Sequence, residues 1–169
     1  GEARLCEAEP IRAQYELTPQ SITYVGDGYS SFEGHYIHAK TTEARPYYNA
    51  YLYDFGKNTT GVFRLKVCGK AGQKIKISFA EMLFDGRFAM DNISFTDNQK
   101  RIDIYADYNQ TAEYTCRGGE EEIFVPDFTY YGYRYALVEG LEAEQATEDL
   151  LTYIVIHSDL TRRSHFYCS

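Results

Sequence analysis

From Tyr51 onward, apolar and polar residues alternate with a period of two, the pattern of half-buried strands. In "GVFRLKVCG", Phe63, Leu65 and Val67 share one face while Arg64 and Lys66 share the other. After a turn at Gly69-Lys70-Ala71-Gly72, "QKIKISFAEML" repeats the alternation, with Ile75, Ile77 and Phe79 inward and Lys74, Lys76 and Ser78 outward. Asp85-Gly86 between "AEMLF" and "RFAM" signals a hairpin. Ile102 and Ile104 bracket Asp103 in a further strand, and Gly118-Gly119 interrupts the chain before "EEIFVP". Pro126 confines that segment to a strand end or an edge. "GYRYALVEG" and "LTYIVIHSD" follow as strands, and "QSITYVG" supplies one ahead of Tyr51. "YLYDFGKNTTG" running into "VFRLKV" reads as strand, turn, strand, and residues 27–48 as a loop with room for one strand. Helical periodicity is scarce; "EAEQATEDLL" offers one short turn capped by Thr147. Many short strands with closely spaced turns predict an all-β, antiparallel two-sheet β-sandwich, with jelly roll as its topology.

Composition narrows this further. A single domain of 169 residues can bury about 70% of its unfolded surface, enough for a substantial core. Aromatics make up 16% of residues, with 17 Tyr, 10 Phe and no Trp, which suits strands and stacking surfaces. The formal charge of −8, from 25 acidic against 17 basic residues, excludes a nucleic-acid partner, because neutralising phosphates needs clustered cations. No apolar run approaches the ~20 residues of a membrane helix. The start, "GEARLCEAEPIRAQ", lacks the charged-then-apolar layout of a leader and reads as cut from the middle of a longer chain, so localisation is not legible. Cys6, Cys68, Cys116 and Cys168 form no C-x-x-C pair, and free, mostly buried thiols are expected over two disulfides.

Individual motifs add little chemistry. Asp54-Phe55-Gly56 matches a kinase tripeptide, but the chain has no G-x-G-x-x-G loop and no His-Arg-Asp. Sequons occur at Asn58, Asn92 and Asn109. His157, Ser158 and Asp159 are adjacent on a strand, so they point to opposite faces and make no triad. Asp85, Asp91, Asp97 and Asp103 lack the EF-hand order; no cofactor is expected, and a β-sandwich calcium site is left open. Glu81, among apolar neighbours, is expected half-buried and hydrogen-bonded, a structural role, since no second carboxylate is placed beside it as glycoside hydrolysis requires. In "FTYYGYRYALVEG", Tyr131, Tyr133 and Tyr135 alternate with Gly132, Arg134 and Ala136, giving one aromatic face that is core by default. Arg134, on the other face, is expected to bridge to Glu81 or Asp54. A glycan would be met by Asp107, Tyr108 and Asn109 in the polar stretch "ADYNQT".

Taken together, "YDFGKNTTG" (Tyr53 to Gly61), the Gly69 to Gly72 turn, "AEML" (Ala80 to Leu83), "PDFTYYGYRY" (Pro126 to Tyr135) and "HSD" (His157 to Asp159) resemble the concanavalin-like β-sandwich domain of bacterial α-L-rhamnosidases, glycoside hydrolase family 78. The likeness runs from Tyr51 to Asp159 in consistent order. Lys57 departs from the usual Gln, Tyr131 from a frequent His and Ala112 from a frequent Asp, and extra residues fall between Asn92 and Tyr114. The resemblance implies structural signature positions at Asp54, Gly56, Asn58, Gly61, Glu81, Gly132, Arg134 and Tyr135. It implies linker and first strands over 1–50, the sandwich core over 51–160, and over 161–169 a linker towards an (α/α)6 catalytic barrel. The family's general acid and base lie in that barrel. The resemblance therefore implies no catalytic residue here and an accessory role in an inverting, rhamnose-releasing hydrolase of bacterial type. The partner is the barrel of the same parent chain, and the rival role is a carbohydrate-binding module for rhamnose-containing glycans, with or without calcium.

Overall fold

The computed structural model describes residues 8–30, 46–89, 110–161, 164 and 166–168. Among the described residues ten strands follow in chain order: β1 (Ile11–Leu17), β2 (Ser21–Tyr29), β3 (Pro46–Val67), β4 (Lys74–Ala80), β5 (Met82–Phe84), β6 (Arg87–Ala89), β7 (Thr111–Thr115), β8 (Glu122–Phe124), β9 (Tyr131–Glu139) and β10 (Leu151–Ser158). All pairings are antiparallel, in the order β1-β10-β3-β9-β4-β7, with β2 and β8 also on β3 and β5-β6 as a separate hairpin. The fold is an all-β antiparallel β-sandwich of the jelly-roll kind, its layers joined as one curled sheet through β3.

That long strand is where the fold departs from the sequence reading. Residues 56–61 do not reverse the chain; β3 runs on through 22 residues. One edge of it pairs first with β2 (Asp54 opposite Ser21) and then with β10 (Gly61 opposite Val155). The other edge pairs with β9 and then β8. Gly56 adopts φ +72, so the strand bulges rather than turning back. Four residues of β3 (55–58) then stand against Arg134 alone, between the pairs Asp54–Tyr135 and Thr59–Tyr133.

The alternation places the core as expected on β3 and β4, and β10 completes it. Phe63, Leu65, Val67, Ile75, Ile77, Phe79, Leu151, Tyr153 and Val155 are all buried in one cluster. Each such side chain contributes roughly 1.5–3 kcal/mol by leaving water. Outward, Arg64 makes paired 2.8 Å hydrogen bonds to Glu16, and Lys66 lies 3.2 Å from Glu121. Ser78, expected outward, is buried because the hairpin β5-β6 covers part of the second face.

Several expectations need correction. Tyr131 and Tyr133 pack on the main core, but Tyr135 joins the second cluster with Ala50, Ala80, Phe88 and Leu137. The bulge at Arg134 flips the alternation, so Ala136 and Val138, not Tyr135, continue the inner face. Glu81 is exposed, because β4 ends at Ala80 and the next residue leaves the sheet. The short turn is a 3-10 turn over Ala143–Gln145, with Glu142 and not Thr147 in the capping box. Cys68 is exposed and Cys116 buried, both as free thiols, and Cys168 is exposed, so the described cysteines are not mostly buried. β1 was not anticipated; its register against β10 (Ile11 opposite Ser158) supplies the reason to be a strand. Asp85 and Gly86 both take positive φ, 49° and 73°, as a two-residue hairpin demands. The strand proposed around Ile102 and Ile104 lies outside the described residues.

Candidate functional site: a stitched bulge, a polar cleft and an apolar ridge

The bulge brings the signature residues together. Asp54 accepts hydrogen bonds from Arg134 Nε at 2.8 Å and Nη2 at 2.9 Å, a two-pronged bridge across β3 and β9. Its Oδ1 also accepts from the Gly56 amide at 2.7 Å, fixing the left-handed turn of the bulge. Hydrogen bonding from Arg134, reinforced by the Gly56 amide, holds the Asp54 carboxyl below the ordinary carboxylate range. Arg134 lies 4.9 Å from the Tyr135 ring centroid, so the guanidinium is held by a carboxylate and an aromatic face at once. Phe55 points the opposite way, edge-on to Tyr133 and Tyr153, whose rings stack at 3.8 Å. A Cβ at Gly56 would overlap the Gln20 side chain, and one at Gly61 would overlap the Ile154 carbonyl. The Asp-Phe-Gly tripeptide is thus a structural splice: one residue for the bridge, one for the core, one for the backbone.

Of the other signature positions, Gly132 donates its amide to Gln110 Oε1 at 3.2 Å, Asn58 is exposed, and Glu81 makes no bridge to Arg134. Asp107, Tyr108 and Asn109, and the aspartates 91, 97 and 103, lie outside the described residues. Among the described residues no three His, Cys, Asp or Glu side chains gather as a metal site.

A second carboxylate is locked elsewhere. Glu122, whose side chain is only 4% exposed, accepts from the Arg117 amide (3.0 Å), the Tyr114 hydroxyl (2.8 Å), the Gly118 amide (3.0 Å) and Arg117 Nε (3.2 Å). These donors, the Arg117 amide foremost, hold its pKa down to about 2.

The structure adds two features that the sequence did not indicate. A cleft of about 160 Å³ opens where β4, β7 and β9 run side by side, with Tyr47, Phe88 and Leu137 as apolar lining. Lys76 stands in register between Glu113 of β7 and Glu139 of β9, and Ser78 and Thr111 add hydroxyls. Lys76 Nζ lies 2.9 Å from Glu139 Oε2 as an ionic partner, and among the described residues that buried oxygen accepts no hydrogen bond. Glu139 Oε1 accepts from the Tyr48 amide at 3.0 Å. The only sequence trace of this cleft is the outward row of "KIKIS", which cannot say which strands flank it.

The other feature is a ridge of exposed large apolar residues, Ile123, Val125, Phe128 and Tyr130, along the segment joining β8 to β9. Phe128 is fully exposed and holds φ +57, a conformation that side chains other than Gly, Asn and Asp seldom adopt.

Residues 45–157 match the bacterial alpha-L-rhamnosidase concanavalin-like domain model. The chain is 30% identical over 148 residues to an alpha-L-rhamnosidase of Streptomyces avermitilis, covering 88% of this chain and 13% of that one. Against the crystal structure of the Aspergillus terreus rhamnosidase, the TM-score is 0.64 at 25% identity, over 95% of this chain and 15% of the other. The Streptomyces avermitilis rhamnosidase complexed with L-rhamnose gives a TM-score of 0.60 at 26% identity, over 90% and 12%. The chain therefore spans about an eighth of the length of the relatives it matches. A family model matching two thirds of the chain and a relative 30% identical over 88% of it show that the chain belongs to the concanavalin-like domain family of bacterial α-L-rhamnosidases.

Proposed function

We propose that this chain is a non-catalytic accessory domain that docks against and supports the (α/α)6 barrel of an inverting α-L-rhamnosidase, the parent chain carrying the activity. The observation that carries this reading is the family membership of a chain whose match covers only 13% of its relative, which is named for the rhamnosidase activity. Two carboxylates with structural roles fit it: a glycosidase needs a general acid whose pKa is raised, and the partners of Asp54 and Glu122 shift theirs down. The test is to assay the purified chain on an aryl α-L-rhamnoside, where no turnover is expected, beside the full reading frame with and without this domain. Loss of thermal stability in the barrel on deleting the domain supports the role, and turnover by the isolated chain defeats it.

The cleft favours a second reading, a carbohydrate-binding module. An apolar lining with hydroxyl, carboxylate and ammonium groups suits a small sugar and its hydroxyls. Titrating L-rhamnose to millimolar concentration, with and without calcium, and following amide shifts, separates the options. Shifts at Lys76, Thr111 and Glu139 place a sugar in the cleft. Shifts confined to 107–109 place it on the polar stretch instead, and no shifts leave the support role alone.

A further inference from the structure

We infer that the Ile123–Tyr130 ridge is the face on which the catalytic barrel of the same chain docks; this rests on the support role proposed above and names its contact surface. Ile123 and Val125 sit two residues apart and turn away from the core, while Phe124 between them packs on Phe63 and Tyr114. The alternation therefore builds a second apolar row on a strand that the domain's own core does not need. Phe128 and Tyr130 follow three and five residues after Val125, and both are exposed. Among the described residues the others with positive φ apart from glycine, Asn49 and Asp85, are types that tolerate the conformation. Asn49 is moreover tied by hydrogen bonds to Asp27 and Leu141. Phe128 is a bulky residue in the same conformation, and its side chain is fully exposed, so no contact among the described residues compensates for it. Strain held at an unburied aromatic points to a contact outside the domain.

The chemistry of the ridge selects the occupant. Aromatic and branched aliphatic side chains around one proline, with Asp127 as the single charge between 123 and 130, fit a protein surface. A sugar would need convergent hydrogen-bonding groups, and those are in the cleft. A second domain in the same chain is held at high effective concentration, so a contact of a few anchors suffices for it.

The test uses the full-length chain that carries this domain, with Phe128→Asp, Phe128→Gly and, as a control on an exposed tyrosine elsewhere, Tyr29→Asp. Glycine accepts φ +57 without strain, so Phe128→Gly removes only the anchor. In the unaltered chain, amides 123–130 are expected to exchange about tenfold more slowly than those around Tyr29. Both Phe128 variants are expected to lose that protection and to split one thermal transition into two, with Tyr29→Asp unchanged. Rapid exchange at 123–130 beside protection on another face of the domain overturns the ridge and leaves the support role standing. A domain with no protected face, melting independently of the rest in the unaltered chain, overturns both. A concentration-dependent dimer abolished by Phe128→Asp overturns the barrel as occupant in favour of a second copy.

Discussion

Two stacked tyrosines in the core offer the same deletion, one hydroxyl each, with effects of opposite sign. Tyr133 and Tyr153 are both fully buried, with rings 3.8 Å apart and 14° from parallel. The Tyr153 hydroxyl donates to the Thr59 carbonyl, whereas the Tyr133 hydroxyl is buried with no hydrogen-bond partner among the described residues. Burying an unpaired hydroxyl costs about 1–3 kcal/mol on protein mutational scales. Tyr133→Phe removes that cost and leaves a void of roughly 15 Å3, worth ~0.4 kcal/mol at about 24 cal/mol per Å3. The net expectation is a gain of about 1–2 kcal/mol, or an increase in Tm of about 2–8 °C for a domain of this size. Tyr153→Phe instead strands the Thr59 carbonyl and is expected to lose about 1–3 kcal/mol. Urea unfolding at equal m measures both, since an unchanged slope keeps the midpoint shift a stability difference. If the two variants move the midpoint in the same direction, or Tyr133→Phe destabilises by ~1 kcal/mol, the Tyr133 hydroxyl has a partner, such as a trapped water, and the reasoning fails.

The remaining predictions concern the splice and the locked carboxylate. Gly61→Ala drives a Cβ into the Ile154 carbonyl of the paired strand and is expected to cost about 1–3 kcal/mol or more by separating β3 from β10, read as a lowered urea midpoint. Arg134→Lys keeps the charge but loses the two-pronged bridge to Asp54; it is expected to lower Tm more than Arg12→Ala, which removes an exposed pair with Asp159. Because folding lowers the Glu122 pKa from 4.5 to about 2, its contribution is full above pH 4.5 and lost as pH falls through 2. Glu122→Gln is therefore less stable at pH 7, and the gap to the unaltered chain is expected to close between pH 4.5 and 2; a constant gap across that range would defeat the assignment.

What the sequence determined by itself is the inner surface of the sandwich. Period-two alternation is a local property, so Phe63, Leu65, Ile75, Ile77 and Phe79 could be assigned to the core without knowing their neighbours. Asp85-Gly86 was legible for the same reason, since its hairpin needs only its own two backbone conformations. The linked motifs also carried the family, and the bridge partner of Arg134 was narrowed to two carboxylates. Tertiary structure decided what depends on pairing between distant strands. Gly56 can open a turn or a bulge, and only β2, β9 and β10 lying along β3 make it a bulge. That bulge in turn moved Tyr135 off the inner face, chose Asp54 over Glu81 for Arg134, and left the latter exposed. The cleft exists because Lys76, Glu113 and Glu139, up to 63 positions apart in sequence, come into register across three strands. β1 and the exposed ridge follow the same logic: an alternating pattern says which residues share a face, and the sheet alone says what that face meets.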